Sequence, residues 1–288
     1  MSFKMSPIFP KQNQYLIMDW SNVVHRAIAV STDETFIRHL IVMLAKYRKS
    51  YDSWEFIFAL EGDGSAKRRL ELATYKSNRV HTEETLEKIS NSLELLNFIK
   101  CSQVRCQEGE ADDAIASYIK QRANKNRVVI VTEDTDMWQL IDYNTTVKSS
   151  RVGTVTPEVC RQKQGVPPQS IVLKKALVGD KSDNIPKSVP RVGNKILTVV
   201  ARKSKDTKGL GRLLVSGELD ESLVKKIVDN KQAIIRNVKM IKLKDSLSIV
   251  EKTSEANLKG VRRFLSSLGV TDIDEKIMER AIGSTRSS

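Results

Sequence analysis

Arg127-Val-Val-Ile-Val-Thr132, followed at once by Glu133-Asp-Thr-Asp136, is the stretch that decides the fold. A run of apolar, mostly β-branched residues without polar alternation reads as a strand buried on both faces. The acids that follow it are the first functional signal. The same grammar recurs outward from it. Tyr15-Leu-Ile-Met-Asp19 is a short apolar run ending in an acid, and Trp54-Glu-Phe-Ile-Phe-Ala-Leu60 is followed by Glu61. Helical stripes separate these runs. Phe36, Ile37, Leu40, Ile41, Leu44 and Ala45 mark one over 35–47. Thr82 is the expected N-cap of a second, carrying Leu86, Ile89, Leu93 and Leu96 to about Lys100. A short strand is expected over 103–107, then a helix over 110–122. Strands alternating with helices predict an α/β fold with a mostly parallel central sheet flanked by helices. In open sheets of this kind ligands bind beyond the carboxyl ends of the strands. Asp19, Glu61 and Asp134 each fall at or just after such an end.

The texture changes near Val155. Pro157, Gly165, Pro167 and Pro168 punctuate it, and no further strand of the central sheet is expected. The reading is a flexible lead-in over 1–14, a first domain over 15–170, and a smaller, helical, basic part over 171–288. The last residues, Gly283 to Ser288, are expected to be mobile. Within the second part, residues 201–250 hold twelve Lys/Arg and six Asp/Glu, a net of +6.

Over 288 residues, 48 Lys+Arg against 35 Asp+Glu leave a formal charge of +13. Such a balance favours a polyanionic partner, most simply nucleic acid. No apolar run reaches the roughly 18 residues of a membrane span, and the first fourteen residues lack the apolar core of a signal peptide. Three cysteines without a C-x-x-C and three histidines without metal spacing support neither a disulfide framework nor a zinc site. A reducing cytoplasm fits, and no membrane is implicated.

Beyond the three strand-end acids stand Asp63, the helix-opening Glu110-Ala-Asp112-Asp113, Asp136, and Asp180 with Asp183 in Val178-Gly-Asp-Lys-Ser-Asp-Asn-Ile-Pro186. Any one cluster has a plain explanation. Acids in a first helical turn compensate the helix dipole, and Asp in a loop organises a turn. Brought together in one cleft, they repel one another and call for counter-cations. Oxygen donors without His or Cys suit Mg²⁺ or Mn²⁺. Two such ions about 4 Å apart hold a phosphodiester for in-line attack.

The order of these pieces resembles the 5′-nuclease family, which includes phage 5′-exonucleases, flap endonucleases and the 5′→3′ exonuclease domain of bacterial DNA polymerase I. The carriers are Leu16-Ile-Met-Asp19, Tyr75-Lys-Ser-Asn-Arg79, Glu108-Gly-Glu-Ala-Asp-Asp113, Thr132-Glu-Asp-Thr-Asp-Met-Trp-Gln-Leu140 and Val178 to Pro186. The resemblance covers about residues 15–200. It implies a PIN-like nuclease domain, a helical arch over about 67–105, and a helix–hairpin–helix element over 184–200. It implies a structure-specific phosphodiester hydrolase acting on branched or 5′-ended DNA, with 5′→3′ exonuclease and flap activity. RNA–DNA hybrids, primer removal in replication or repair, and replication proteins as partners belong to the same implication, in a bacterial cell or a phage-infected host.

By matching position, Asp19, Glu61, Glu110, Asp112, Asp113, Asp134, Asp136, Asp180 and Asp183 are the metal-site acids that the resemblance implies. Relatives usually carry Asp where this chain has Glu61, and Asp63 competes for that place. Lys76 and Arg79 match the basic pair beside the cleft, Arg68 a phosphate contact, and Tyr75 a residue placed to stack on a base. Arg191, Gly193 and Lys195 fall on the hairpin, where relatives often bind a monovalent cation. Ser188 and Arg191 stand where glycines are common. Setting the nine acids aside leaves 26 acids against 48 bases, so the remaining surface is strongly positive. Phosphate contacts of this kind bind without reading sequence. Two alternatives stay open on the residues alone: a PIN-like ribonuclease, and a junction-binding protein with an inactive cleft.

Overall fold

The computed structural model describes residues 12–77 and 82–284. The lead-in up to 11, the expected basic residue Arg79 and the last four residues lie outside them. Seven strands among the described residues form one sheet: β1 (Gln14–Asp19), β2 (Glu55–Leu60), β3 (Cys101–Arg105), β4 (Arg127–Val131), β5 (Thr145–Ser149), β6 (Gly153–Val155) and β7 (Val250–Ser254), in the order β6-β5-β4-β1-β2-β3-β7. The pairs β1–β2, β1–β4, β2–β3 and β4–β5 are parallel, and only the edge pairs β3–β7 and β5–β6 are antiparallel. The expected α/β architecture is therefore present.

The described residues include thirteen α-helices, some on the sheet and others, α8 to α11, beyond it. On the way to the edge at β3 come α1 (Trp20–Val30), α2 (Asp33–Ser50), α3 (Gly64–Glu71) and α4 (Glu83–Leu95). The middle of the chain adds α5 (Ala111–Gln121), α6 (Pro157–Gln164), α7 (Ile171–Val178), α8 (Asn194–Ser204), α9 (Thr207–Val215), α10 (Glu221–Asp229) and α11 (Lys231–Ile241). It ends with α12 (Leu258–Ser267) and α13 (Glu275–Ile282).

Strand alternation sorts the core into two layers. Leu16, Met18, Phe56, Phe58, Val129 and Val131 face α1, α2, α12 and α13. Tyr15, Ile17, Ile57, Ala59, Val128 and Ile130 lie on the opposite face, which α5 covers, and belong to a core that continues into α7, α8 and α9. Both faces are apolar because both are covered, which is why these strands read as continuous hydrophobic runs.

Several expectations need correction. Residues 171–288 are not all helical. Val250–Ser254 pairs antiparallel with β3, and α13 packs on α2. This edge strand is mostly exposed, so it carries no buried-strand pattern. The helix begun at Thr82 ends at Leu95 in a 3-10 turn over Leu96–Phe98 rather than near Lys100. The later part of the 67–105 segment belongs to the core: Leu95, Leu96 and Ile99 are fully buried and Cys101–Arg105 is a sheet strand. That stretch cannot be arch. The helix α1, directly after β1, and the strands β5 and β6 were not anticipated.

Candidate active site

Strand order reverses beside the central strand: β2 lies on one side of β1 and β4 on the other. A crevice opens beyond the carboxyl ends at such a switch point. Asp19 ends β1 there and caps α1, its Oδ1 accepting from the Asn22 N–H at 3.2 Å. The Thr132 hydroxyl, at the end of β4, donates to Asp19 Oδ2 at 2.9 Å and accepts from the Asp134 N–H at 3.0 Å. One buried hydroxyl thus fixes both strand-end acids. Burial, then Glu61, then Asp134, push the Asp19 carboxyl up from 3.8 to about 7. Its hydrogen bonds come from neutral groups. Among the described residues, no Lys, Arg or His lies within ion-pair distance of Asp19 or Asp134.

Glu61 reaches the site because the β2–α3 turn lies against residues 106–110. A Cβ on Gly62 would sit 2.1 Å from the Cys106 carbonyl oxygen, and one on Gly64 2.4 Å from Gly109 C, so only glycine permits the approach. Glu61 Oε2 accepts from the Ala111 N–H at 3.1 Å, at the start of α5. Asp63, its competitor, is exposed like Glu61 but sits at the start of α3. Of the two, Glu61 is the one whose charge bears on Asp19.

The acids of α5 are neutralised from within the chain. Arg68, 5% exposed, pairs with Glu110 and donates to Asp113 Oδ1 and Oδ2 at 2.8 and 3.0 Å. Glu110 also accepts from the Ser65 hydroxyl, from Tyr75 Oη at 2.8 Å and from Lys76 Nζ at 2.9 Å. Asp113 further accepts from the backbone N–H groups of Glu110 and Lys244 at 3.2 and 2.8 Å. Asp112 is less enclosed, 3.6 Å from Arg68. Burial raises its pKa, with Arg68 pulling the other way.

Four expected roles change on this geometry. Glu110, expected as a metal ligand, is 2% exposed with both carboxylate oxygens taken by Arg68, Ser65, Tyr75 and Lys76, which makes it their anchor. Arg68 holds carboxylates rather than presenting itself to phosphate. Tyr75 is 1% exposed, its ring packed with Ala176, Ile185, Met240 and Ile241 and its hydroxyl on Glu110, so no face is open for a base. Asp113 is fully buried with its oxygens taken, which makes it a support for Arg68 and the α5 N-terminus rather than a metal ligand. Lys76 is buried on Glu110 and takes a left-handed backbone (φ 50°).

The last acids arrive from the turn after β4 and the loop after α7. Asp136 and Asp180 share one ammonium: Lys175 Nζ lies 2.6 Å from Asp136 Oδ1 and 2.7 Å from Asp180 Oδ2. Burial, opposed by Lys175, pushes the Asp136 carboxyl up to about 7. Burial also works on Asp180, but Lys175 and the Ser182 hydroxyl outweigh it and hold that carboxyl below its ordinary value. Asp183 is buried on the same loop, and its carbonyl accepts from the Lys76 N–H at 3.2 Å. Sequence reasoning missed Lys175. Its signal is a lysine inside the apolar helix Ile171-Val-Leu-Lys-Lys-Ala-Leu-Val178, five residues before Asp180. Arg191, Gly193 and Lys195 are exposed around the start of α8, whose N-cap supplies no side-chain hydrogen bond.

The donor set is all oxygen and suits a hard divalent ion. As the side chains stand, no three acidic, His or Cys residues among the described ones are grouped closely enough to hold an ion. No helix of the described residues is long and apolar enough to cross a membrane.

A family model described as the 5′-3′ exonuclease, N-terminal resolvase-like domain matches residues 14–165. DNA polymerase I of Pseudomonas aeruginosa is 33% identical over 199 residues, covering 64% of this chain and 21% of the polymerase. A 5′-3′ exonuclease of Buchnera aphidicola is 33% identical over 165 residues, covering 56% of this chain and 57% of that protein. The chain thus spans between about a fifth and somewhat over half the length of these relatives. In fold it is similar to a bacteriophage T5 flap endonuclease solved as a pseudo-enzyme-product complex with DNA and metal ions (TM-score 0.68, 19% identity, 93% of this chain and 99% of that one). It is also similar to human GEN1 in complex with Holliday junction DNA (TM-score 0.60, 17% identity, 93% and 71%). With the family model spanning more than half of the chain and the acids of its motifs gathered at the switch point, this protein belongs to the 5′-3′ exonuclease family, in its N-terminal, resolvase-like domain.

Proposed function

We propose that the chain is a structure-specific 5′-nuclease that hydrolyses DNA phosphodiesters with Mg²⁺ or Mn²⁺, as a 5′→3′ exonuclease and flap endonuclease. The observation that carries this reading is the convergence on one sheet edge of carboxylates from five separate segments. These are the end of β1, the β2–α3 turn, the start of α5, the turn after β4 and the loop after α7. Asp19, Glu61, Asp112, Asp134, Asp136, Asp180 and Asp183 are the residues that would hold divalent ions. Bound there, such ions supply Lewis acidity at a phosphodiester and lower the pKa of an attacking water. Glu110 holds Arg68 and Lys76, Asp113 holds Arg68, and the Lys76 ammonium beside Glu110 is the cation assigned to offset charge developing on a bound phosphate.

The basic helical segment α7–α11 is assigned to duplex binding, with the first part of the chain to about 170 as the catalytic unit. The exposed Arg191 and Lys195, with the free N–H groups at the start of α8, suit phosphate contacts. Arg191 occupies a left-handed conformation (φ 58°) in which glycine is unstrained. The Ser188 hydroxyl points inward to the Ala176 carbonyl at 2.7 Å, so it is not offered to a monovalent ion at the hairpin. Removal of RNA primers, a role in replication or repair, and a cytoplasmic site of action follow from the same reading.

Cleavage of a 5′-labelled flap DNA by wild type and Asp134→Asn tests it. The variant should bind the flap normally and cut it at least about a hundredfold more slowly. Full turnover by the folded variant would remove the assignment. Cleavage of single-stranded RNA but not of the flap points to a ribonuclease. Tight flap binding without cleavage at any Mg²⁺ or Mn²⁺ concentration marks an inactive junction binder.

A further inference from the structure

Lys175 lies in α7, an apolar helix packed between α8 and α11, and is 9% exposed. An ammonium in such a place is costly without partners, and Asp136 and Asp180 are those partners. Its neighbour Lys174 turns the other way, to Gln164 Oε1 at 2.6 Å. The carboxylate edge is therefore unequal. The pair Asp136–Asp180 already holds a cation between its oxygens. At Asp19 and Asp134 the neutral Thr132 hydroxyl donates to the Asp19 carboxylate and accepts from the Asp134 backbone N–H, and no Lys or Arg among the described residues pairs with either carboxylate.

A divalent ion and this ammonium cannot share the space. A Mg²⁺–oxygen contact is about 2.1 Å, whereas Lys175 Nζ stands between the two carboxylates, hydrogen-bonded to Asp136 Oδ1 at 2.6 Å and in ion-pair contact at 2.7 Å with Asp180 Oδ2, a buried oxygen that accepts no hydrogen bond. One positive charge between two negative ones also leaves the trio net negative, so the pair still attracts a cation of higher charge. Lysine suits an exchangeable role. Its charge is carried on a flexible four-carbon stem with rotatable donors, unlike the planar fork of Arg68 on the other cluster.

We propose that Lys175 is a resident counter-ion that a divalent cation displaces, which makes loading of the site ordered: an ion enters beside Asp19 and Asp134 without competition, and a second enters at Asp136 and Asp180 only as Lys175 leaves. This rests on the metal-dependent reading above. Where the competent state is populated one time in about ten, apparent affinity falls by the same factor of about ten.

The test is Mn²⁺ binding to the full chain without DNA, followed by the paramagnetic resonance signal of free Mn²⁺, for wild type, Lys175→Met and Lys175→Arg. Wild type should bind in two steps, the second about tenfold weaker or more. Lys175→Met should tighten the second step about tenfold and leave the first within about threefold. It should also lower the melting temperature in chelator and recover more of it on Mn²⁺ addition than wild type does. Lys175→Arg, which keeps the charge and the fold, should weaken the second step. A second step unchanged in both variants, or both steps weakened alike by Lys175→Met, overturns displacement while leaving metal dependence intact. A wild-type chain that binds no Mn²⁺ overturns both and is recognised by the absence of the first step.

Discussion

The side-chain amide of Asn237, in α11, donates to the Ser188 hydroxyl at 2.8 Å, and the same nitrogen reaches the carbonyls of Ala176 and Pro186 at 3.1 and 2.6 Å. Ala176 and Pro186 bracket the loop that carries Asp180 and Asp183. A single buried amide on a distant helix thus closes the base of an acid-bearing loop. The loop itself is tight: Asp180 and Ile185 exchange backbone hydrogen bonds at 2.9 and 2.8 Å. A Cβ on Gly179 (φ 83°) would lie 2.7 Å from the Lys187 nitrogen.

Replacing Asn237 with leucine keeps the volume and removes the donor, leaving buried acceptors unsatisfied. The expected cost is about 2–4 kcal/mol in urea unfolding. Because the loop loses its clamp, cleavage should fall by more than affinity for a flap DNA does. Ser188→Ala removes one arm of the node and should cost about 1 kcal/mol. Equal stability of Asn237→Leu and wild type would show that the loop is held by other means.

Tyr75 gives a sharper contrast between the two roles available to it. Its burial and its hydrogen bond to Glu110 predict that Tyr75→Phe loses about 1 kcal/mol of stability and leaves DNA affinity unchanged. A stacking residue would behave oppositely, since the phenylalanine ring stacks as well and its replacement by alanine costs binding. Thermal unfolding and flap-binding titrations of Tyr75→Phe and Tyr75→Leu distinguish these. Leucine should cost stability through lost packing and the lost hydroxyl, with flap affinity nearly intact in the folded fraction.

These two cases show where the sequence was readable and where it was not. The central strands β1, β2 and β4 are legible because both faces are covered and the runs are therefore unbroken. The acids are legible for a related reason: a carboxylate directly after a buried strand stands out. β5, Thr145-Thr-Val-Lys-Ser149, has one apolar residue at its centre, and β7 is an exposed edge, so neither carries the pattern of a buried strand. The cations were the harder part. Arg68 sits in a basic run beside Lys67 and Arg69 and reads as surface, and Lys175 has the same letter as its half-buried neighbour Lys174. For Arg68 the inward turn is decided by carboxylates more than forty residues away, and for Lys175 by Asp136, 39 residues away, together with the nearby Asp180, so spacing along the chain records only the second of the Lys175 partners.

The acidic edge should make the metal-free protein less stable as pH rises. The Asp19 carboxyl is raised from 3.8 to about 7 in the folded state by burial, Glu61 and Asp134. The folded chain therefore binds more protons than the unfolded one between those values, and its stability falls as pH rises through that window. The contribution is fully present below about pH 4 and lost above about pH 7. Asp180 has the opposite sign: held low by Lys175 and Ser182 against burial, it adds stability as pH rises through the ordinary carboxylate range or below it. In chelator, stability should drop by on the order of 2–4 kcal/mol from pH 4.5 to 8, with Asp19→Asn flattening the slope. Saturating Mn²⁺ should reverse it, since metal ligands must be deprotonated. A melting temperature constant from pH 5 to 8 in chelator would contradict the crowding of these acids.

Flap DNA affinity should depend steeply on salt, and the hairpin residues should each carry part of that dependence. Arg191 and Lys195 are exposed beside the start of α8, where the N-cap leaves backbone donors free. Each phosphate neutralised contributes about 0.9 to the slope of log affinity against log salt concentration on duplex DNA. Arg191→Ala and Lys195→Ala should each lower the slope by about one and weaken binding alike on duplexes of unrelated sequence. Arg68→Lys provides the internal control: the guanidinium is buried among Glu110, Asp112 and Asp113, so its salt slope should match wild type while its stability falls. Arg191→Gly separates charge from backbone strain. It relieves the left-handed conformation, so a variant as stable as wild type or more so, but with the slope of Arg191→Ala, assigns the loss of binding to the guanidinium alone.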